Sequence, residues 1–423
     1  MNKQLFILCI ILSLGVNYCF SQQYIPNHYS PDSVEEYSII GEHLKAIPEE
    51  LSKFTRLKKL DLRNNEIEEI PEFIFNMLTL EELSLSGNKI KVIPKNIAKL
   101  RNLKTLYLSD NKIDTLIIPQ QHSLLNLHKL LLDNNNINSF EQLCNITNLD
   151  CLVLDKNNIQ YIPNDISKLK HLTALNLSNN KIMNTEGLCQ LTQLQYIFLE
   201  NNPLTELPDC IGQLSSVKAI SISDVSLPDS FFYLKNLSSL NIYNLKGELK
   251  IGAIDSLSSL YIDGADFRKM PNIIFELKNL TSLYLLNAKL VSVPKPLELL
   301  NKLWELDLSN NAITVIEADF RKLVRLNHLS ISYNKITSLP VFSPNSQISV
   351  IGARNNDIRQ LNRALFQIPT LKQVYLNNNK ITKLPSRVCP RKRKYKMIVY
   401  LYDNPLPKIE KNKQPCKKVY FAN

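Results

Sequence analysis

The sequence predicts an α/β solenoid. A parallel β-sheet lines its concave face, and short helices or 3₁₀ turns line its convex face. Three observations carry this. One apolar frame recurs about seventeen times along the chain, mostly every 22–24 residues. Its core alternates apolar and polar side chains, as a strand with one buried face requires. Hydrophobic residues are 44% of 423, with only 9 Gly, a composition that excludes collagen and long disordered segments.

Residues 1–21 come first. Lys3 precedes an apolar run from Leu5 to Val16, and Cys19 and Ser21 occupy −3 and −1 of a cut before Gln22. This is a secretory signal peptide in form, bacterial in style, and short for a membrane span. Residues 22–33 read as a linker. The repeats occupy 34–386, and 387–423 read as a degenerate last repeat with a basic cap. The chain holds 50 Lys or Arg against 39 Asp or Glu. Residues 387–423 hold eleven of the basic residues against Asp403 and Glu410. Residues 22–386 are left with 38 basic and 37 acidic side chains, so the basic balance is no argument for nucleic-acid binding by the body.

The frame is plain in Leu57-x-x-Leu60-x-Leu62-x-x-Asn65-x-Ile67, followed by Ile70 and Pro71. It returns at Leu80, Leu83, Leu85, Asn88, and again at Leu371, Val374, Leu376, Asn379. One repeat cannot bury its apolar face alone, so neighbours stack around a shared core. The Asn turns the chain out of the strand and has an amide to offer adjacent rungs. Pro94 to Leu103, with Ile97 and Leu100 between, looks like a short helix or 3₁₀ turn. This pattern resembles the leucine-rich repeat family, in its short class with Ile-Pro or Leu-Pro after the Asn. The resemblance covers nearly the whole chain after the leader. It implies a horseshoe whose concave face is the binding surface.

Side chains at the second, fifth and seventh frame positions are expected to face the concavity. Three clusters emerge there. Leu131, Val153 and Phe198, with Tyr107 and Tyr196, form an apolar track edged by Asp133, Asp155 and Glu200. Tyr243, Tyr261, Tyr284 and Leu286 come from three successive repeats. Tyr375, Tyr400 and Tyr402 lie toward the C-terminus with Arg354. Apolar and aromatic side chains on an open sheet face mark interaction sites. The competing reading is that such residues simply favour strands. Twelve of the seventeen frames carry the turn Asn. Four consecutive frames have Val225, Leu245, Ala265 and Ala288 instead, and the two 20-residue spacings fall in that stretch.

Cys389 and Cys416 flank the last repeat and are expected to staple the cap as a disulfide, which an exported chain keeps. Cys189 and Cys210, at nearly matching convex positions, read as small buried residues, a bridge being the weaker alternative. Cys144 and Cys151 are not expected to bridge. No metal-ligand spacing, nucleophile motif or phosphate loop appears, so no cofactor, metal or catalytic residue is assigned. The expectation is an exported, monomeric, non-catalytic protein, secreted, periplasmic or at the cell surface. It would bind a protein or glycan partner on the concave face, and no nucleic acid. An intracellular signalling scaffold is the alternative if the leader is retained.

Overall fold

The computed structural model describes residues 31–119, 124–252, 254–385, 396–407 and 419–422. The leader, most of the linker, Cys389, Cys416 and the run Arg391–Tyr395 lie outside the described residues. The chain divides into two units, residues 1–217 and 218–423. Each is a solenoid of parallel strands. The first unit holds eight ladder strands, from Glu36–Ser38 to Tyr196–Phe198. The second holds ten, from Ala219–Ser223 to Val419–Ala422. Seventeen of these strands coincide with the seventeen frames, including those near 237–257, where Leu237, Leu240, Leu257 and Leu260 are all fully buried. The eighteenth, Val419–Ala422, pairs with Met397–Tyr400 inside the segment read only as a cap.

Strand register aligns like positions of successive frames. Leu60 sits opposite Leu83, and Leu130 opposite Leu152. The fourth- and sixth-position side chains fill the interior, so alternation places the third, fifth and seventh positions together on the open face. That corrects the expectation for the second position. The open-face column begins one residue later, with Lys59, Tyr196 and His328 in it.

All helical segments among the described residues are 3₁₀, none longer than five residues. Pro precedes eight of them, as at Pro71–Asn76 and Pro94–Lys99. Its fixed φ suits the entry, and its carbonyl accepts the amide three residues on (Ile97 N–H to Pro94 O, 3.1 Å).

The turn Asn forms a ladder from rung to rung wherever consecutive frames carry it. Asn180 donates to Leu177 O of its own rung at 3.1 Å and to Leu154 O of the rung before at 2.9 Å. Its Oδ1 accepts the Ile159 amide at 3.0 Å. The other eleven turn Asn residues repeat this three-way pattern, from Asn65 to Asn404. In the four consecutive frames that lack Asn, the ladder strands are five residues long, at Ala219–Ser223, Ser239–Tyr243, Ser259–Asp263 and Ser282–Leu286, against three in all but one of the others before Val419–Ala422. The reason is local. Asn amides otherwise claim the sixth-position carbonyl; in the frames of Val225, Leu245 and Ala265 it is left to the neighbouring strand, and pairing runs on to Ile222↔Ile242 and Ser223↔Tyr243, whereas Leu285 O, at the end of the stretch, again accepts from Asn311 at 2.7 Å.

The eighth position, just before the Asn, is left-handed in all seventeen frames, with φ between 49° and 90°. Fifteen of these residues are Asn, Asp or Gly, the types that tolerate it. Lys156 and Tyr333 are the exceptions.

Cys189 and Cys210 are bridged, with Cα atoms 5.7 Å apart. This overturns the reading of both as unpaired core residues. They occupy the adjacent 3₁₀ segments Glu186–Gln190 and Asp209–Gln213, which rung stacking brings into reach. No disulfide involves Cys144 or Cys151. Cys144 is fully buried, and burial pushes its thiol up to about 12, so it is inert as a nucleophile.

Two expectations follow. Asn180→Ala leaves two carbonyls and an amide without partners in a dry interior and should cost about 3 kcal/mol in urea unfolding. Asn136→Ala, at an exposed bond, should cost under about 0.5 kcal/mol. Peptide mapping should recover Cys189 linked to Cys210. The double Ala variant should lose about 3 kcal/mol, since the bridge closes a loop of 21 residues.

Candidate functional site: the open sheet face

In the first unit, register brings Tyr107, Leu131 and Val153 side by side in the fifth column. The track then breaks. Asn176 stands between Val153 and Phe198, with its Oδ1 accepting the Ser178 amide. Tyr196 belongs to the third column, opposite Ala174. Along the seventh column the acidic edge runs Asp133, Asp155 and Glu200, with Ser178 between the last two. Asp133 accepts from Ser109 Oγ, Asp155 accepts from Asn179 Nδ2 at 2.7 Å, and Glu200 accepts from Ser178 Oγ. Burial raises the carboxyl groups of Asp133 and Asp155 above the ordinary range, and the phenol of Tyr107 likewise.

The third, fifth and seventh columns of this unit hold six acidic side chains (Glu36, Asp61, Glu82, Asp133, Asp155, Glu200) and three basic ones (Lys59, Arg63, Lys129). Lys59 is paired to Glu36 and Arg63 to Asp61. The open face is therefore acidic on a body that is nearly neutral.

In the second unit the tyrosines do assemble. Tyr243 and Tyr261 have ring centroids 5.3 Å apart, and Tyr261 and Tyr284 are 5.6 Å apart, all tilted. Tyr261 Oη donates to Asp263 at 3.2 Å. Burial raises the phenols of Tyr261 and Tyr284, with Asp263 and Glu305 adding to it. Leu286 lies opposite Asp263. This is the stretch without turn Asn, so the longer strands carry the tyrosines of two columns on one regular surface.

Farther along, Tyr375 and Tyr400 stack in parallel at 4.7 Å, and the Arg354 guanidinium lies 4.4 Å from the Tyr375 centroid. Both faces of Tyr375 are thus occupied. Tyr402 is exposed.

One feature was not singled out from sequence. Beside Arg354 and Tyr375 the sheet sinks into a depression of about 410 Å³. Its floor is Gly352, with Ser330 and Ser332 beside it; a Cβ on Gly352 would meet both hydroxyls at 3.3 Å. Asp307, His328 and Tyr333 also line it. Asp307 accepts the Ser309 amide at 2.9 Å, and burial raises its carboxyl. The signal lay in the fifth column, where Gly352 follows Ser330 and precedes Tyr375. Among the described residues no group of His, Cys, Asp and Glu is placed to hold a metal, and no helix is long and apolar enough to cross a membrane.

A pH effect follows from the acidic edge. A carboxyl whose folded pKa is raised binds its proton more firmly in the folded state, so the fold loses stability as pH rises from the unfolded pKa through the folded one. Asp155→Asn keeps the Asn179 bond and removes the charge. It should be more stable than the parent at pH 7 and lose that advantage near pH 3, read by paired melting curves.

A leucine rich repeat family model matches residues 55–113 and 302–358, and a leucine-rich repeat region model matches 181–295, together more than half of the chain. The chain is similar to the solved structure of a leucine-rich repeat protein of Leptospira interrogans, at 29% identity and TM-score 0.76, covering 93% of this chain and 96% of that one. It shares its fold with internalin InlF of Listeria monocytogenes, at 24% identity and TM-score 0.60 over 71% of this chain and 87% of that one. It also shares it with the functional domain of InlJ from the same organism, described as including a cysteine ladder, at 18% identity and TM-score 0.55 over 84% and 75%. No curated protein matches the sequence. The frames stacked within each unit, their asparagine ladders and these matches agree: the chain belongs to the leucine-rich repeat proteins.

Proposed function

We propose that this protein is an exported, monomeric, non-catalytic binding protein whose partner docks across the open face of the sheet. Leucine-rich repeats are generally non-catalytic scaffolds, and the fold commonly mediates protein–protein interaction. The observation that carries the reading is the tyrosine row Tyr243, Tyr261 and Tyr284, three aromatic rings packed together on the outer side of the sheet, with Tyr243 half-buried and Tyr261 and Tyr284 nearly buried between their neighbours. The mechanism is rigid display. Side chains held at strand spacing meet a partner without being ordered on binding, which limits the entropy cost. The acidic columns favour a partner with a basic surface, through encounter rate and register. Export is supported by the form of residues 1–21 and by the Cys189–Cys210 bridge, which an oxidising compartment maintains. The internalin neighbours are consistent with it. The remaining open-face candidates are Tyr107, Leu131, Asp133, Val153, Asp155, Tyr196, Phe198, Glu200, Leu286, Arg354, Tyr375, Tyr400 and Tyr402.

Intact mass by cell fraction tests export: a species beginning at Gln22 outside the cytoplasm is expected, and a full-length cytosolic species would move the scaffold reading to first place. A photo-crosslinking residue at Tyr261 tests the face, against the same residue at the exposed convex Tyr233. Partner adducts should form from position 261 and not from 233. The triple variant Tyr243→Ala/Tyr261→Ala/Tyr284→Ala should weaken capture of that partner by more than about tenfold.

A further inference from the structure

The depression over Gly352 goes beyond a general docking face, and this inference rests on the reading of the open face as the binding surface. Its chemistry is mixed at close range. Asp307 and Glu305 contribute carboxylate acceptors, and Arg354 contributes guanidinium donors. Ser309 and Ser330 share a hydrogen bond of 2.6 Å, and Ser332 Oγ accepts the Arg354 amide at 3.3 Å. A purely cationic guest would meet Asp307 and Glu305 but also Arg354. A purely anionic one would meet Arg354 but also both carboxylates. A group that donates and accepts at the same atom suits both walls, and that group is an alcohol hydroxyl.

The rim supplies the second observation. Tyr333 lines the depression and is 55% exposed. It occupies an eighth position at φ 56°, where fifteen of the seventeen frames place Asn, Asp or Gly. A bulky side chain there is a local cost that the repeat elsewhere avoids. Tyr375 has its two ring faces taken by Tyr400 and Arg354, whereas among the described residues no ring or cation packs on Tyr333. An exposed ring beside a floor of hydroxyls, a carboxylate and a guanidinium is the pairing of apolar platform and polar anchors that holds a pyranose.

We propose that the depression framed by Asp307, Ser330, Ser332, Tyr333, Gly352 and Arg354 is a subsite for a neutral saccharide, one sugar ring lying on Tyr333 with its hydroxyls on Asp307 and Arg354. The volume accommodates one or two sugar rings and no folded segment.

Two variants of the full chain test it. Tyr333→Asn restores the residue type the turn prefers, so it should raise the melting temperature by about 2 °C while weakening saccharide binding about tenfold. Gly352→Val fills the floor with a residue that Val153 shows the fifth column accepts, and should abolish binding with the fold retained by circular dichroism. The probes are an array of neutral and anionic glycans, followed by titration of the best neutral oligosaccharide, with tetralysine as the cationic comparison. Binding of a neutral glycan that both variants lose supports the subsite. Failure of every neutral glycan, unchanged binding in both variants, or preference for tetralysine overturns it. The tyrosine triple variant separates this from the wider reading: partner capture lost there but kept in Tyr333→Asn and Gly352→Val leaves the docking face standing without a saccharide subsite.

Discussion

Each rung of this protein must leave the sheet through a corner whose sixth-position carbonyl points into an interior without water. An unpaired carbonyl there costs as much as a lost hydrogen bond. The turn asparagine resolves the problem for two rungs at once, because one side-chain amide donates to both carbonyls and its oxygen takes the amide of the rung before. Much else depends on this. Where the Asn is present the strand is cut to three residues in all but one rung, while the eighth residue is left-handed with or without it. The chain is then sent over the apolar interior toward the proline that opens the 3₁₀ segment. The ladder couples neighbours only, which is why a solenoid grows by stacking and not by long-range pairing.

The stretch that lacks the asparagine shows the same constraint by exception. Val225 and Ala288 are fully buried where the amide would sit. In the frames of Val225, Leu245 and Ala265 the backbone carbonyl is returned to the neighbouring strand, and the ladder lengthens. Longer strands carry more side chains in register on the open face, and it is there that Tyr243, Tyr261 and Tyr284 come together. Loss of one hydrogen-bonding device in the interior thus becomes a broader, more regular surface outside. The Cys189–Cys210 bridge ties adjacent convex segments shortly before this stretch begins.

The open face of each unit is differentiated. The first presents an apolar track broken by Asn176 and edged by Asp133, Asp155 and Glu200. The second presents tilted tyrosines, then a hollow over Gly352, then the Arg354–Tyr375–Tyr400 stack. Acidic side chains outnumber basic ones on both, while residues 22–386 are almost neutral. The positive charge therefore lies away from the columns that the ladder displays.

The amino-acid sequence by itself determined seventeen of the eighteen rungs, the frame, the core positions and the members of the fifth and seventh columns, because period 2 in the strand and the spacing of Leu, Asn and Pro are one-dimensional signals. Tyr107, Leu131 and Val153 could be named as neighbours from that alone. It also held an unread signal, the Asn, Asp or Gly at the eighth position that makes Tyr333 stand out. Tertiary structure decided what depends on register and depth. The third position joins the open face and the second does not. Asn176 interrupts the apolar track, and Cys189 reaches Cys210. Gly352 sinks below its neighbours to leave a hollow. These are distances between rungs some twenty residues apart, set by how the ladder and the convex segments stack, and no spacing along the chain states them.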